Sequence, residues 1–296
     1  MATRAAPRAE TAASAAQIVQ PGIAVLTYLI AILFGLLAVI PFFWAVSYSF
    51  RDVAEVFQFP PPLLPPRLRW ENYVTIFQTM PFALWIVNTV QITVLATLGT
   101  VVSATVVAYS FARFRYPGRD LFFFVTIATL ILPGEVTIVP TYLIFRGLGW
   151  LDSFRPLIVP SWLGGGAFYI FLLRQFLLTI PRDFDDAAKI DGASSLQTLL
   201  SVIAPLLKPA IVAVTVISFI GQWDDFFNPL IYLNTPTKFT LSLGLNYLQS
   251  SLSGEGVPQI HLLMVAATLA TLPPLLLFFV AQRYFIEGVV LSGLKA

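Results

Sequence analysis

The feature that most constrains this chain is the length of its apolar runs. Residues 23–48 contain no charged side chain at all. About 20 helical residues cross the hydrocarbon of a bilayer, and in lipid only a helix or a closed barrel satisfies every backbone polar group. The run is too long for the apolar region of a signal peptide, usually about 7 to 15 residues, so it is expected to stay in the membrane as an anchor. Further runs of comparable length fall at 85–108, 121–145, 157–176, 210–232 and 262–280. The expected fold class is therefore all-α, a polytopic membrane protein with six transmembrane helices. Residues 1–20, rich in alanine, read as a disordered cytoplasmic tail ahead of one membrane domain at 21–296.

Composition removes several functions. With 57% hydrophobic and 11% charged residues the chain is unlike a soluble enzyme. A net charge of +2 points to no nucleic-acid partner. The chain has no cysteine, and His261 is its single histidine, so thiol chemistry and a multi-histidine metal centre within one chain are excluded.

One patterned polar island interrupts the apolar text, residues 180–209. Asp183 suits an N-cap, with Asp185 and Asp186 in the first turn against the positive end of a helix. Gly192 supplies a left-handed stop. Ser194 and Gln197 have capping-box spacing for a second helix, on which Leu196, Leu199, Leu200 and Ile203 repeat at one-face spacing. This layout fits an ordinary cytoplasmic loop with a surface-lying helix, and equally a docking element held at the membrane.

The run Asp186-Ala187-Ala188, then Asp191-Gly192-Ala193, with Pro205 and Pro209 downstream, resembles the EAA loop of ABC-importer permease subunits. In that family the loop is a coupling helix that seats in a groove of the ATPase subunit; its first position is usually glutamate, where this chain has Asp186. The resemblance extends to Glu71-Asn72-Tyr73, Asn88-Thr89, Ala108-Tyr109, Arg113-Phe114-Arg115-Tyr116-Pro117-Gly118, Trp223-Asp224-Asp225-Phe226 and Gln282-Arg283-Tyr284-Phe285. These are similar to maltose-type carbohydrate permeases. The resemblance implies docking through Asp185, Asp186, Ala187, Ala188, Lys189, Asp191, Gly192 and Ala193. It also implies a second permease subunit, two ATPase subunits and an extracytoplasmic substrate-binding protein, the last meeting the polar segment 234–260. ATP and magnesium would be bound by the ATPase, leaving no cofactor in this chain. No Walker-type loop is present, and Gly164-Gly165-Gly166 lacks the Lys-Ser or Lys-Thr of a phosphate loop, so it reads as a close-packing site.

Basic residues orient the spans. With the N-terminus in the cytoplasm, eleven of the 17 Lys and Arg fall inside, including Arg113, Arg115, Arg119, Arg182 and Lys189, which obeys the positive-inside rule. Both termini are then cytoplasmic, and the expected location is the plasma (inner) membrane of a prokaryote. The proline-dense segment 57–69 reads as an extended external loop.

Three acids lie in apolar spans, Glu135, Asp224 and Asp225, and must face protein or water rather than lipid. One reading is a substrate pathway, in which they accept sugar hydroxyls while Trp223 or Phe226 offers a ring face. The other is that they cap or brace helix ends. The leading expectation is a non-catalytic permease subunit of an ATP-driven importer for a carbohydrate or related polyol. The alternative is an ion-coupled secondary transporter using these acids.

Overall fold

The computed structural model describes residues 21–252 and 259–293, and side chains within 25–250 and 259–282, Glu135 excepted. The expected tail at 1–20 lies outside the described residues. Among the described residues the secondary structure is entirely helical. The principal helices are α1 (Pro21–Ser49), α2 (Glu71–Thr79), α3 (Phe82–Arg113), α4 (Arg119–Ala128), α5 (Gly134–Gly147), α6 (Ala167–Thr179), α7 (Asp183–Ile190), α8 (Lys208–Trp223), α9 (Phe227–Tyr232), α10 (Leu241–Leu252) and α11 (Ile260–Gly293).

Four segments are long and apolar enough to cross a membrane: Val25–Ser49, Phe82–Arg113, Arg155–Thr179 and Ile260–Gln282. Two bent pairs bring the number to six if each is one span. In the first, Arg119–Ile131 meets Val136–Gly147 at 106°. The run at 121–145 is thus not one straight helix. Pro133 has no N–H to continue the ladder and holds Leu132 in an extended conformation (φ −77°, ψ 116°). In the second, Ser195–Leu206 turns by 82° into Lys208–Trp223. The run at 210–232 also divides, because α8 stops at Trp223 and α9 starts only at Phe227.

The bundle is organised around α3, which packs against α6 and α8, while α11 packs on α1 and α8. Ala96, Thr100, Ala104, Ala108 and Ala112 are all buried and recur every fourth residue along α3. Small residues at this spacing let helix backbones approach closely, which supplies association where lipid removes the hydrophobic driving force. The triple glycine sits in that approach: a Cβ on Gly165, at φ +70°, would lie 2.5 Å from the Thr100 carbonyl oxygen. The close-packing reading of 164–166 holds at Gly165, whereas a Cβ on Gly164 would meet nothing within 4 Å.

Two buried clusters fill the bundle. One joins Ala108, Leu173, Leu177, Ile203 and Val214 next to the 180–209 loop. The other, at the opposite end, joins Trp85, Phe145, Trp223, Tyr232, Leu248 and Leu262. The segment 57–69 carries no helix, as expected, and is tied down by Arg51. That side chain is fully buried, bonds the Pro62 carbonyl and Ser47, and lies 4.0 Å over the Tyr48 ring. The segment 234–260 is not a simple solvated loop. Leu241, Leu243 and Leu248 bury α10 in the second cluster, and Gly244 abuts the Trp85 ring.

Candidate coupling helix and translocation path

Three acids in the first turn of α7 and Lys189 in its last complement the helix dipole. Asp183 is not the N-cap expected of it. Arg182 holds that position with helical backbone angles (φ −71°, ψ −16°), so Asp183 is the first helical residue. The stop is the expected one: Gly192 has φ +79°, and its N–H donates to the Lys189 carbonyl at 3.0 Å. The capping box of the second helix is formed, with the Ser194 N–H donating to Gln197 Oε1 at 2.8 Å. Its helix does not bury one leucine face, however. Leu199 and Ile203 are buried, whereas Leu196 and Leu200 are exposed, because a π-helical stretch at Thr198–Ile203 shifts the register.

The faces of α7 divide cleanly. Asp185 and Ala188, three residues apart, point into the bundle; Ala187, Lys189, Ile190, Asp191 and Gly192 are exposed. Asp185 Oδ2 lies 3.0 Å from Arg113 Nε, with both side chains buried. Tyr109 donates to the other carboxylate oxygen at 3.4 Å. Arg113 also donates to the Ile180 carbonyl at 3.0 Å, and Arg182 to the Ala112 carbonyl at 3.4 Å. Asp186 stays on the outside, paired with Lys189 at 3.2 Å. Of the residues expected to dock, Asp185 ties α7 to α3, Ala188 is buried, Ala193 is half-buried, and Asp186, Ala187, Lys189, Asp191 and Gly192 are exposed together with Phe184 and Ile190. The charge pattern marked both aspartates; only three-dimensional register separates them.

At the opposite end of the bundle the break after α8 places the apolar-span acids. Trp223 offers no free ring face: it is 3% exposed, stacks on Phe219 at 11°, and donates from Nε1 to the Ala270 carbonyl at 3.0 Å. It braces α8 against α11, which corrects the sugar-stacking role. Phe226 is half-buried against the surrounding core, and Asp224 is exposed. Asp225 is half-buried, and its carboxylate accepts from the Asn228 N–H at 3.2 Å and from Asn228 Nδ2 at 2.9 Å. It lines a cleft with Thr141, Ser161, Gln222, Asn228 and Tyr232, where three spans meet. Glu135 falls near the start of α5, which also carries Thr141, and its side chain lies outside the described residues.

A polar hub on the same side escaped the sequence reading. Asp152, at φ +52°, accepts from the Asn234 and Thr235 N–H groups, each at 3.0 Å, from Thr235 Oγ1 at 2.7 Å and from Lys238 at 2.7 Å. Partial burial pushes this carboxyl upward, yet the bonds from Lys238, Thr235 and Asn234 outweigh it and hold the group well below the usual carboxylate range. Asn88 and Trp85 of α3 donate to the carbonyls of Thr237 and Pro236 in the same segment. No spacing rule joins residues more than 80 positions apart.

An apolar bundle of broken spans, with a glycine-closed helix pinned to one end and presented outward, defines a transporter permease subunit. The chain belongs to the family of binding-protein-dependent transport system inner membrane components, whose model matches residues 25–290. It is 35% identical over 263 residues to the sn-glycerol-3-phosphate transport system permease protein UgpE of Pectobacterium atrosepticum, covering 86% of this chain and 92% of that one. A probable ABC transporter permease of Pyrococcus horikoshii is 30% identical, covering 88% of this chain and 94% of that one. Among solved structures, a bacterial ABC transporter involved in import of the acidic polysaccharide alginate superposes with a TM-score of 0.77 at 25% identity, over 91% of this chain and 98% of that chain. The protein is thus a multi-pass, non-catalytic ABC permease subunit of the inner membrane.

Proposed function

We propose that this subunit, with a second permease and two ATPase subunits, imports a carbohydrate or related polyol delivered by an extracytoplasmic binding protein. The observation that carries the reading is α7, fixed to α3 by the buried Arg113 and Asp185 and exposing Phe184, Asp186, Lys189 and Ile190. A lever needs a rigid root and a free contact face, and α7 has both. Closure of the ATPase dimer on ATP and magnesium moves α7 as a rigid body, and α3 transmits that movement into the bundle. Both termini then lie in the cytoplasm with α7, in the plasma membrane of a prokaryote.

The substrate path runs past Asp225. Its carboxylate, with Gln222, Asn228 and Thr141, offers the hydrogen bonds that hydroxyl groups need, and Tyr232 contributes an aromatic wall. The same negative charge opposes a phosphate or carboxylate on the cargo, which favours a neutral sugar or polyol. UgpE is named for a phosphorylated polyol and the alginate importer for an acidic polysaccharide; polyhydroxylated cargo is what these relatives share. Reconstitution of the four-subunit complex with its binding protein is expected to give uptake that requires internal ATP hydrolysis. Uptake by this chain alone, driven by an ion gradient, would overturn the reading.

A further inference from the structure

Beside the coupling helix the chain carries a second, strongly basic cavity. It is lined by Arg115, Tyr116, Gly118, Arg119, Leu121 and Arg182, with Asp120 as the single acid. Three positive charges therefore face one negative charge. Asp120 engages Arg119 at 2.7 Å and is itself 79% exposed. Arg182 spends one N–H on the Ala112 carbonyl. Arg115 is exposed and, among the described residues, has neither a hydrogen bond nor an ion pair. Arg119 also donates from Nε to Asp120 at 2.8 Å and to the Phe114 carbonyl at 3.3 Å, so the open guanidinium donors are those of Arg115 and Arg182, with Arg119 adding charge beside them. Two guanidinium forks facing one cavity match the geometry of a phosphate.

The surroundings say which phosphate. The cavity sits where α4 begins, at the mouth of the first bent pair of spans. Immediately beyond it Leu121, Phe122, Phe124 and Val125 are all more than half exposed. A basic pocket opening directly onto an exposed apolar helix face fits a molecule with a charged head and apolar tails, whereas a free anion would leave that face unused. Basic pockets between spans on the cytoplasmic side are the ordinary recognition mode for anionic headgroups.

We propose that Arg115, Arg119 and Arg182 form a binding site for the phosphodiester headgroup of one anionic phospholipid, whose acyl chains lie along Leu121, Phe124 and Val125. Arg182 directly precedes α7 and bonds to the last turn of α3. The lipid thereby buttresses the root of the coupling helix. The assignment is independent of which cargo the transporter carries.

The test uses the complex purified with its partner subunits, in nanodiscs of phosphatidylcholine alone or of phosphatidylcholine mixed equally with phosphatidylglycerol, read by native mass spectrometry. Retention of one tightly held phosphatidylglycerol is expected. Its affinity should fall about fivefold for each arginine neutralised, in Arg115→Gln and in Arg115→Gln/Arg119→Gln. The paired Arg115→Lys/Arg119→Lys variant keeps the charge but loses the planar forks, and should bind more weakly than wild type yet more tightly than the double Gln variant, which separates loss of the site from loss of the fold. Neutralising Arg67 and Arg146 to Gln, on the far side of the bundle, should leave the lipid in place. Equal retention of phosphatidylcholine and phosphatidylglycerol by the wild-type complex would overturn the proposal. So would unchanged retention in the double Gln variant, or displacement of the lipid by inorganic phosphate, which would mark a site for a free anion.

Discussion

Arg113 and Asp185 meet at 3.0 Å with only 5% and 8% of their side chains exposed, so the last turn of α3 and the first turn of α7 share one buried ion pair. Taking two charges out of water is costly, and such a pair often adds little net stability over an apolar replacement. Its effect is geometric. Removing either partner leaves the other buried without compensation, so α7 is held in one place on α3 or the region is strongly destabilised.

Arg113→Ala or Asp185→Ala is therefore expected to cost about 3–5 kcal/mol and to uncouple ATP hydrolysis from uptake. Arg113→Leu/Asp185→Leu removes both charges and should recover stability well beyond the sum of the single losses. Thermal unfolding of the complex, combined with cargo moved per ATP hydrolysed, checks both halves.

Gly192 has φ +79° with no atom within 4 Å of a Cβ placed on it. Strain rather than crowding decides substitutions here. Gly192→Val is expected to cost about 1–2 kcal/mol through the left-handed backbone and to reduce uptake. Gly192→Asn, which tolerates this conformation, should be nearly harmless. Uptake rates at matched membrane levels give the comparison, and normal uptake with valine would sink the role given to this turn.

The two neighbouring acids of the broken span separate in the same way. Asp225 lines the cleft and Asp224 is exposed beside it. Asp225→Asn is expected to raise the half-saturating concentration of cargo about tenfold, the loss of a hydrogen bond to a charged acceptor. Asp224→Asn should change it little. Concentration dependence of uptake, measured with saturating binding protein, distinguishes the two.

Asp152 gives a pH dependence with a definite sign. Its folded carboxyl titrates below the ordinary 3.8, so the stability it contributes is complete above that value and is lost as pH falls through the lower folded one. Amide exchange across 232–240 should stay constant from neutral pH down to about 4 and accelerate below it, after correction for intrinsic exchange. Asp152→Asn suits the φ of +52° and removes only the charge; it should give fast exchange already at neutral pH.

Much of this was legible in the residues. Apolar run lengths located the membrane segments, Gly192 and the Ser194–Gln197 box marked the turns of the coupling loop, and the EAA-like pattern pointed to the family. What escaped depends on contacts distant in sequence. Asp185 and Asp186 read alike until α3 supplies Arg113 to one of them. Trp223 looked like a sugar platform because its stacking partner Phe219 and its acceptor at Ala270 become neighbours only through the packing of α8 and α11. The run at 121–145 read as one span by length and composition, which carry no information about the 106° between its two halves. The Asp152 hub joins two loops, and hydrophobic periodicity carries no information about such a link.

The most direct test of α7 as the coupling element uses the absence of cysteine from this chain, so that an introduced thiol is the only one it carries. Ile190 is 86% exposed at the end of α7. In the assembled transporter, Ile190→Cys carrying a short thiol-to-amine cross-linker should yield an adduct with the ATPase subunit, with a yield that changes between nucleotide-free and ATP-bound states. Efficient labelling of Ile190→Cys with no ATPase adduct in either state, in a complex that still transports, would contradict the coupling role of α7.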